Sequence, residues 1–168
     1  MDANGAWAAR GCADETLLAR WLKHPFFARR PPKSTGRELF GEPFLARAIS
    51  NARRRQLSRH DLLATLTEFT ARSVAQNYRL HLPSAPDEII LTGGGAANPV
   101  LVTAITRAVR EFAPSAQVVT SKELGWPLAS IEPAAFALLA WLRKKRSAGN
   151  LPVTTGARRE ALLGVIGE

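Results

Sequence analysis

One stretch limits the fold of this chain more than any other: Glu88-Ile89-Ile90-Leu91-Thr92, then Gly93-Gly94-Gly95-Ala96-Ala97, then Asn98-Pro99. The short β-branched, apolar run reads as a buried strand. Three glycines follow, where no side chain holds a ligand away from the backbone. Asn98 is a good N-cap and Pro99 suits the first helical position, so a helix is expected to start there. A strand, a glycine turn and a helix N-terminus in succession can serve as a nucleotide or anion site. The same triplet can equally be a plain tight turn, and it lacks the Gly-x-Gly-x-x-Gly spacing of a dinucleotide fingerprint.

The flanking sequence favours ligand approach. Leu101, Val102, Ile105, Val109 and Phe112 form the apolar stripe of the helix after Asn98, and Gln117 to Ser121 reads as a second strand. Strand, helix and strand with short connections make a right-handed βαβ unit with parallel pairing. That puts the glycines at the carboxyl end of a parallel strand, where open α/β sheets bind ligands.

Upstream, helices are expected from Asp14 to His24, from Pro43 to about Gln56, and from Asp61 to about Leu80, the last capped by Asp61 or its predecessor. Between the first two lies a proline-rich loop carrying Lys33, Ser34 and Thr35, with Phe27 and Phe40 as its anchors. Charge and hydroxyls on such a loop suit a polar ligand; the alternative is a surface connection. It is not a Walker loop, because the preceding glycine pattern is missing. Downstream, Ser130 is expected to cap a helix through Leu142 whose early small residues allow close packing on a neighbour. Glu132 sits in its first turn, either as a carboxylate opposing the helix dipole or as an acceptor for substrate hydroxyls. His60 reads as a surface or capping residue. A short apolar run, Ala161 to Ile166, comes last, and no internal repeat is visible.

Composition narrows the function classes. With 168 residues, 46% of them hydrophobic, the chain can bury a sizeable core, as expected of one domain. A single cysteine, Cys12, excludes an internal disulfide and suits a reducing cytoplasm; with three scattered histidines it offers no metal site. No apolar run is long enough to cross a bilayer, and Met1-Asp2-Ala3-Asn4-Gly5 does not open a secretory signal. The net charge of +9 would suit nucleic acid or another polyanion. The basic runs are scattered, however, two of them at expected helix C-termini, and no nucleic-acid motif accompanies them. A solvated basic surface is the preferred reading, and a non-catalytic polyanion-binding module the alternative. No Ser/His/Asp arrangement or close acid pair marks a catalytic centre.

Several segments together resemble the anhydro-N-acetylmuramic acid kinase family of the actin-like sugar kinase and ATPase superfamily. They are Asp2-Ala3-Asn4-Gly5, Pro31 to Glu38, and Leu91 to Asn98 with its triple glycine. Glu132 with Phe136-Ala137, Gly149 to Pro152, and Thr155-Gly156-Ala157 complete the set, in the family's order. The resemblance implies an α/β fold, the C-terminal lobe of an actin-like (ribonuclease H-like) ATPase with a mixed sheet flanked by helices, spanning residues 1–168. It implies an enzyme that uses ATP and magnesium to open the 1,6-anhydro ring of the amino sugar and phosphorylate it during peptidoglycan recycling. Gly93, Gly94, Gly95 and Asn98 would then belong to the adenine-nucleotide site and Glu132 to the sugar site, with Lys33, Ser34 and Thr35 a supporting motif. No catalytic or metal-binding residue is assigned. The family's Met-Ser-Gly-Thr-Ser-x-Asp-Gly phosphate loop and its Asp-x-Gly-Pro-x-Asn stretch do not occur in this sequence. The expectation is therefore a lobe that is inactive by itself, needs an N-terminal lobe to handle the sugar, and leaves homodimerisation open.

Overall fold

A computed structural model of the chain describes residues 2–167; Met1 and Glu168 lie outside the described residues. The element order is α1 (Glu15–Leu22), α2 (Pro25–Ala28), α3 (Arg37–Phe40), α4 (Glu42–Arg54) and α5 (Arg59–His81). Then follow β1 (Glu88–Leu91), α6 (Pro99–Arg110), β2 (Gln117–Thr120), α7 (Ile131–Lys144) and α8 (Pro152–Thr155). The architecture is mixed α/β: β1 and β2 pair in parallel, with Ile89 opposite Val118 and Ile90 opposite Val119, and helices flank them. The described sheet holds these two strands alone, joined by the expected βαβ crossover through α6.

The long helix α5 is the spine. Its 23 residues span about 34 Å at 1.5 Å per residue, enough to serve two hydrophobic clusters. Along its first half, up to Phe69 at its middle, α5 packs against Leu17, Leu18, Trp21, Phe27 and Ala48, with Phe40 and Phe44 beside them. Most of the rings meet edge-on or stacked, with Phe44 and Phe69 stacked 5.3 Å apart, geometries that add to simple burial. Near its end, Ala71 and Ala75 lie against Ile89, Ala104, Ile105, Ala108 and Val109. Alanines on the facing sides let α5 and α6 approach closely.

Local chemistry sets the helix starts. Asp14 caps α1, accepting from the Leu17 N–H at 2.8 Å. Ser58, rather than Asp61, caps α5. The Ser58 hydroxyl accepts from the Asp61 N–H at 3.1 Å while the Asp61 carboxylate accepts from the Ser58 N–H at 3.1 Å, a reciprocal capping box. The expectation, Asp61 or its predecessor, fell two to three residues inside the helix, at the far side of the box.

Three short helices, α2, α3 and α8, were not expected, the last of them in a segment that reads as a closing loop. α2 begins at Pro25 with the His24 ring accepting from the Phe26 N–H at 3.2 Å, and α3 runs into α4 through Gly41. The clearest corrections concern α7. The Ser130 side chain does not cap it but donates to the Pro127 carbonyl at 2.7 Å, and the small early residues pack on no neighbour. No residue of α7 is buried. The Ala161 to Ile166 run forms neither helix nor strand. No described helix is long and apolar enough to cross a membrane.

Candidate functional site

The glycine turn leaves the carboxyl end of β1. Gly93 has φ of +80°, a left-handed conformation that favours glycine, and Gly94 to Ala97 wind into one tight helical turn. Asn98 then caps α6 as expected. Its Oδ1 accepts from the N–H groups of Val100 at 3.0 Å and Leu101 at 3.2 Å, with Pro99 in the first turn. Two of the helix's free donors are thereby satisfied by Asn98 itself.

A Cβ built on Gly93 or Gly94 would meet nothing within 4 Å, and one on Gly95 only the tip of Leu101 at 3.4 Å. The triplet is therefore not demanded by crowding within this chain. One face of the turn is open backbone, free for a flat or charged ligand to approach.

The turn is fastened from the other side by a residue that sequence reasoning missed. The Leu128 carbonyl accepts from the Gly93 N–H at 2.9 Å and from the Thr92 hydroxyl at 3.1 Å. Buried Ser121, just after β2, donates to the Thr92 hydroxyl at 3.3 Å. The loop between β2 and α7 thus closes over the strand ends and leads into α7, whose first turn holds Glu132 four residues beyond Leu128. Leu128 acts through its backbone, so its side chain left no signal to read. Gly5 (φ +73°), singled out by the resemblance without a role, lies against Asn98. A Cβ there would fall 2.7 Å from the Val100 Cβ, so the N-terminal turn fits against the α6 cap only with glycine.

Glu132 is exposed in the first turn of α7, and its carboxylate accepts no hydrogen bond among the described residues. Lys33, Ser34 and Thr35 are not brought to the glycine turn by any described hydrogen bond. The Lys33 ammonium turns inward. It donates to the Phe26 and Phe27 carbonyls at 3.2 and 3.0 Å, lies 3.2 Å from the His81 Nε2 and sits over the Phe26 ring. It closes the end of α2 onto the end of α5, and burial together with the Arg29 charge pulls its pKa down. Ser34 is exposed, and the Thr35 hydroxyl donates to Glu38. Just before this motif, Pro32 packs beside Gly156, joining two segments 124 positions apart that the resemblance singled out separately. The concavity nearest the turn, about 360 Å³, lies behind the first turns of α6. It is lined by Ala8, Glu68, Pro99, Val100 and Arg107 and does not include the glycines.

The family sequence model for anhydro-N-acetylmuramic acid kinase matches residues 1–168. The chain belongs to this family. Among curated relatives, an anhydro-N-acetylmuramic acid kinase from Cyanothece sp. is 44% identical over 163 residues, covering 97% of this chain and 42% of the relative. One from Picosynechococcus sp. is 46% identical over 165 residues, covering 98% and 43%. One from Acaryochloris marina is 42% identical over 163 residues, covering 97% and 42%. The chain therefore spans about two fifths of the length of these relatives, and it corresponds to a fragment of the anhydro-N-acetylmuramic acid kinase sequence.

The open turn leaves its backbone exposed at the start of α6, the end of the helix that carries partial positive charge. Magnesium finds no ready ligand set: among the described residues no three Asp, Glu, His or Cys side chains converge. No residue of this chain is assigned to it.

Proposed function

We propose that the chain is the nucleotide-binding C-terminal lobe of an ATP-dependent anhydro-N-acetylmuramic acid kinase. This enzyme opens the 1,6-anhydro ring and phosphorylates the sugar in peptidoglycan recycling, in the cytoplasm. The observation that carries the proposal is the family match along the whole chain, together with the open glycine turn at the carboxyl end of β1. ATP brings the phosphoryl group, and magnesium the charge neutralisation that phosphoryl transfer needs. In this lobe, Gly93, Gly94 and Gly95 let the nucleotide lie against the backbone, while Asn98 holds the start of α6 in place behind them. Glu132, on a fixed helix end, accepts hydrogen bonds from sugar hydroxyls. Lys33 keeps α2 on α5, and Ser34 and Thr35 support that segment.

The phosphate loop and the Asp-x-Gly-Pro-x-Asn stretch of the family are supplied by an N-terminal lobe. The chain alone is accordingly inactive. The test joins the chain to the preceding polypeptide of the Cyanothece relative and assays ATP-dependent phosphorylation of the anhydro sugar. Activity in the fusion and none in the chain alone supports the proposal; activity of the chain alone, or an inactive but folded fusion, contradicts it.

A second reading rests on one surface. Arg20, Lys23, Arg47 and Arg54 line a groove between α1 and α4 with no acidic residue among them, which suits a polyanion. Binding to single-stranded or duplex nucleic acid that weakens steeply with salt would support it, and no binding at low salt would sink it.

A further inference from the structure

The helix α7 is out of place on a finished surface. From Pro133 to Leu142 it carries no charged side chain; Glu132 lies before that stretch and Arg143 and Lys144 after it. Leu139 already touches the chain's own Gly149 and Leu163 region. On another face, Ile131, Ala134, Leu138 and Trp141 recur at spacings of three, four and three residues and point outward. Leu138 is 55% and Trp141 54% exposed, and Phe136, on a third side, reaches 65%. A helix that is apolar nearly all round belongs inside a protein, not on its surface.

The sheet shows the same incompleteness. Parallel strands are normally covered on both faces, and two strands alone are marginal. Here Ile89, on the inner face, is buried against α6, while Ile90, on the outer face, is 49% exposed. An amphipathic helix destined for a lipid surface would carry a polar face along its length, and α7 has none. More than half of each matched relative lies outside the region this chain spans, and that length of polypeptide is the material available to cover both faces.

We infer that the Ile131-Ala134-Leu138-Trp141 face of α7, with the outer face of β1 at Ile90, is the docking surface for the N-terminal lobe of the family's polypeptide. The inference rests on the reading of this chain as a C-terminal lobe and names the surface through which the two lobes join. The docking lobe brings an apolar face to the α7 stripe. The basic run at and just beyond the end of α7, from Arg143 to Arg146, favours acidic groups at the margin of the contact.

Thiol accessibility tests this. On a Cys12→Ser background, Leu138→Cys and Ala46→Cys, the latter on the exposed side of α4, are each labelled with a maleimide. Labelling is timed in the chain alone at low and high concentration, with anionic phosphatidylglycerol vesicles, and in the fusion with the preceding segment of the Cyanothece relative. The expected result is labelling of Leu138→Cys slowed by about tenfold or more in the fusion only, with Ala46→Cys unchanged, since burial limits reaction to transient openings. Slowing at high concentration of the chain alone assigns the face to a second copy and overturns the inference. Slowing by vesicles assigns it to a membrane and does the same, and unchanged labelling in the fusion refutes it outright. ADP calorimetry on the same fusion reads the nucleotide site independently, so loss of one result leaves the other standing.

Discussion

Gly5 stands directly against Asn98, the residue that caps α6 behind the glycine turn, in space that a Cβ would fill. The N-terminal turn is itself held by Asp2, whose carboxylate accepts from the N–H groups of Trp7 at 2.8 Å and Ala8 at 3.0 Å. The start of the chain and the candidate nucleotide site thus share one packed junction.

Gly5→Ala must adopt a left-handed conformation and displace the Asn98 cap or Val100. Strain of about 1 kcal/mol and a damaged cap of about 1 kcal/mol predict a loss of roughly 2 kcal/mol in urea unfolding. Gly94→Ala meets nothing and has no positive φ, so it is expected to stay within about 1 kcal/mol of wild type. Equal losses at the two positions would contradict the packing described.

Asn98 separates capping from binding. Asn98→Asp keeps a good cap and adds a charge favourable to the helix dipole, so stability is retained. On the proposed function the same carboxylate would face an anionic nucleotide, and ADP affinity is expected to fall about tenfold, or about 1.4 kcal/mol. Calorimetry and urea unfolding on one preparation read both effects.

Lys33→Met removes an ammonium with two carbonyl partners at 3.0 and 3.2 Å. Hydrogen bonds to charged groups contribute about 1.5–3 kcal/mol, and a loss of that order is expected in urea unfolding. ADP binding should not change, because no described contact links Lys33 to the glycine turn. A selective loss of ADP affinity would return Lys33 to the site.

How much was legible in the sequence follows from these residues. The strand, the glycine turn, the Asn98 cap and the βαβ unit were readable because their signals are local: β-branched runs, glycines, and Asn-Pro at a helix start. The roles of Gly5, Leu128 and Lys33 were not. Gly5 is explained by a partner more than ninety residues away, Leu128 acts through a carbonyl, and Lys33 looks like a ligand-binding loop residue until its carbonyl partners are seen. The expectation that α7 would pack on a neighbour through its small residues came from composition, and within this chain no neighbour takes that position.

Acid stability is expected to depend on two anchors. Hydrogen bonds from Arg72 hold the Glu15 carboxyl below its ordinary 4.5, and those from the Ser58 hydroxyl and the Cys12 N–H hold Asp61 below its ordinary 3.8. Both groups are depressed in the folded state, so the unfolded chain takes up protons first as pH falls. Their contribution is complete above about pH 5 and is lost progressively below the ordinary values. The stability gap between wild type and Asp61→Asn, measured in urea at about pH 7 and about pH 2.5, should therefore narrow at the lower pH. A gap that is constant or widens would contradict the assignment.

The central claim is that the open backbone from Gly93 to Gly95 receives an adenine nucleotide, and calorimetric titration of ADP into wild type and Gly94→Val tests it most directly. The Val Cβ enters space that the chain itself leaves empty within 4 Å, so the fold is expected to persist while the approach is blocked. Saturable binding by wild type, with affinity at least about tenfold weaker in a Gly94→Val protein of unchanged urea stability, is the predicted result. Equal affinity in the two proteins, or no binding by folded wild type, would contradict it.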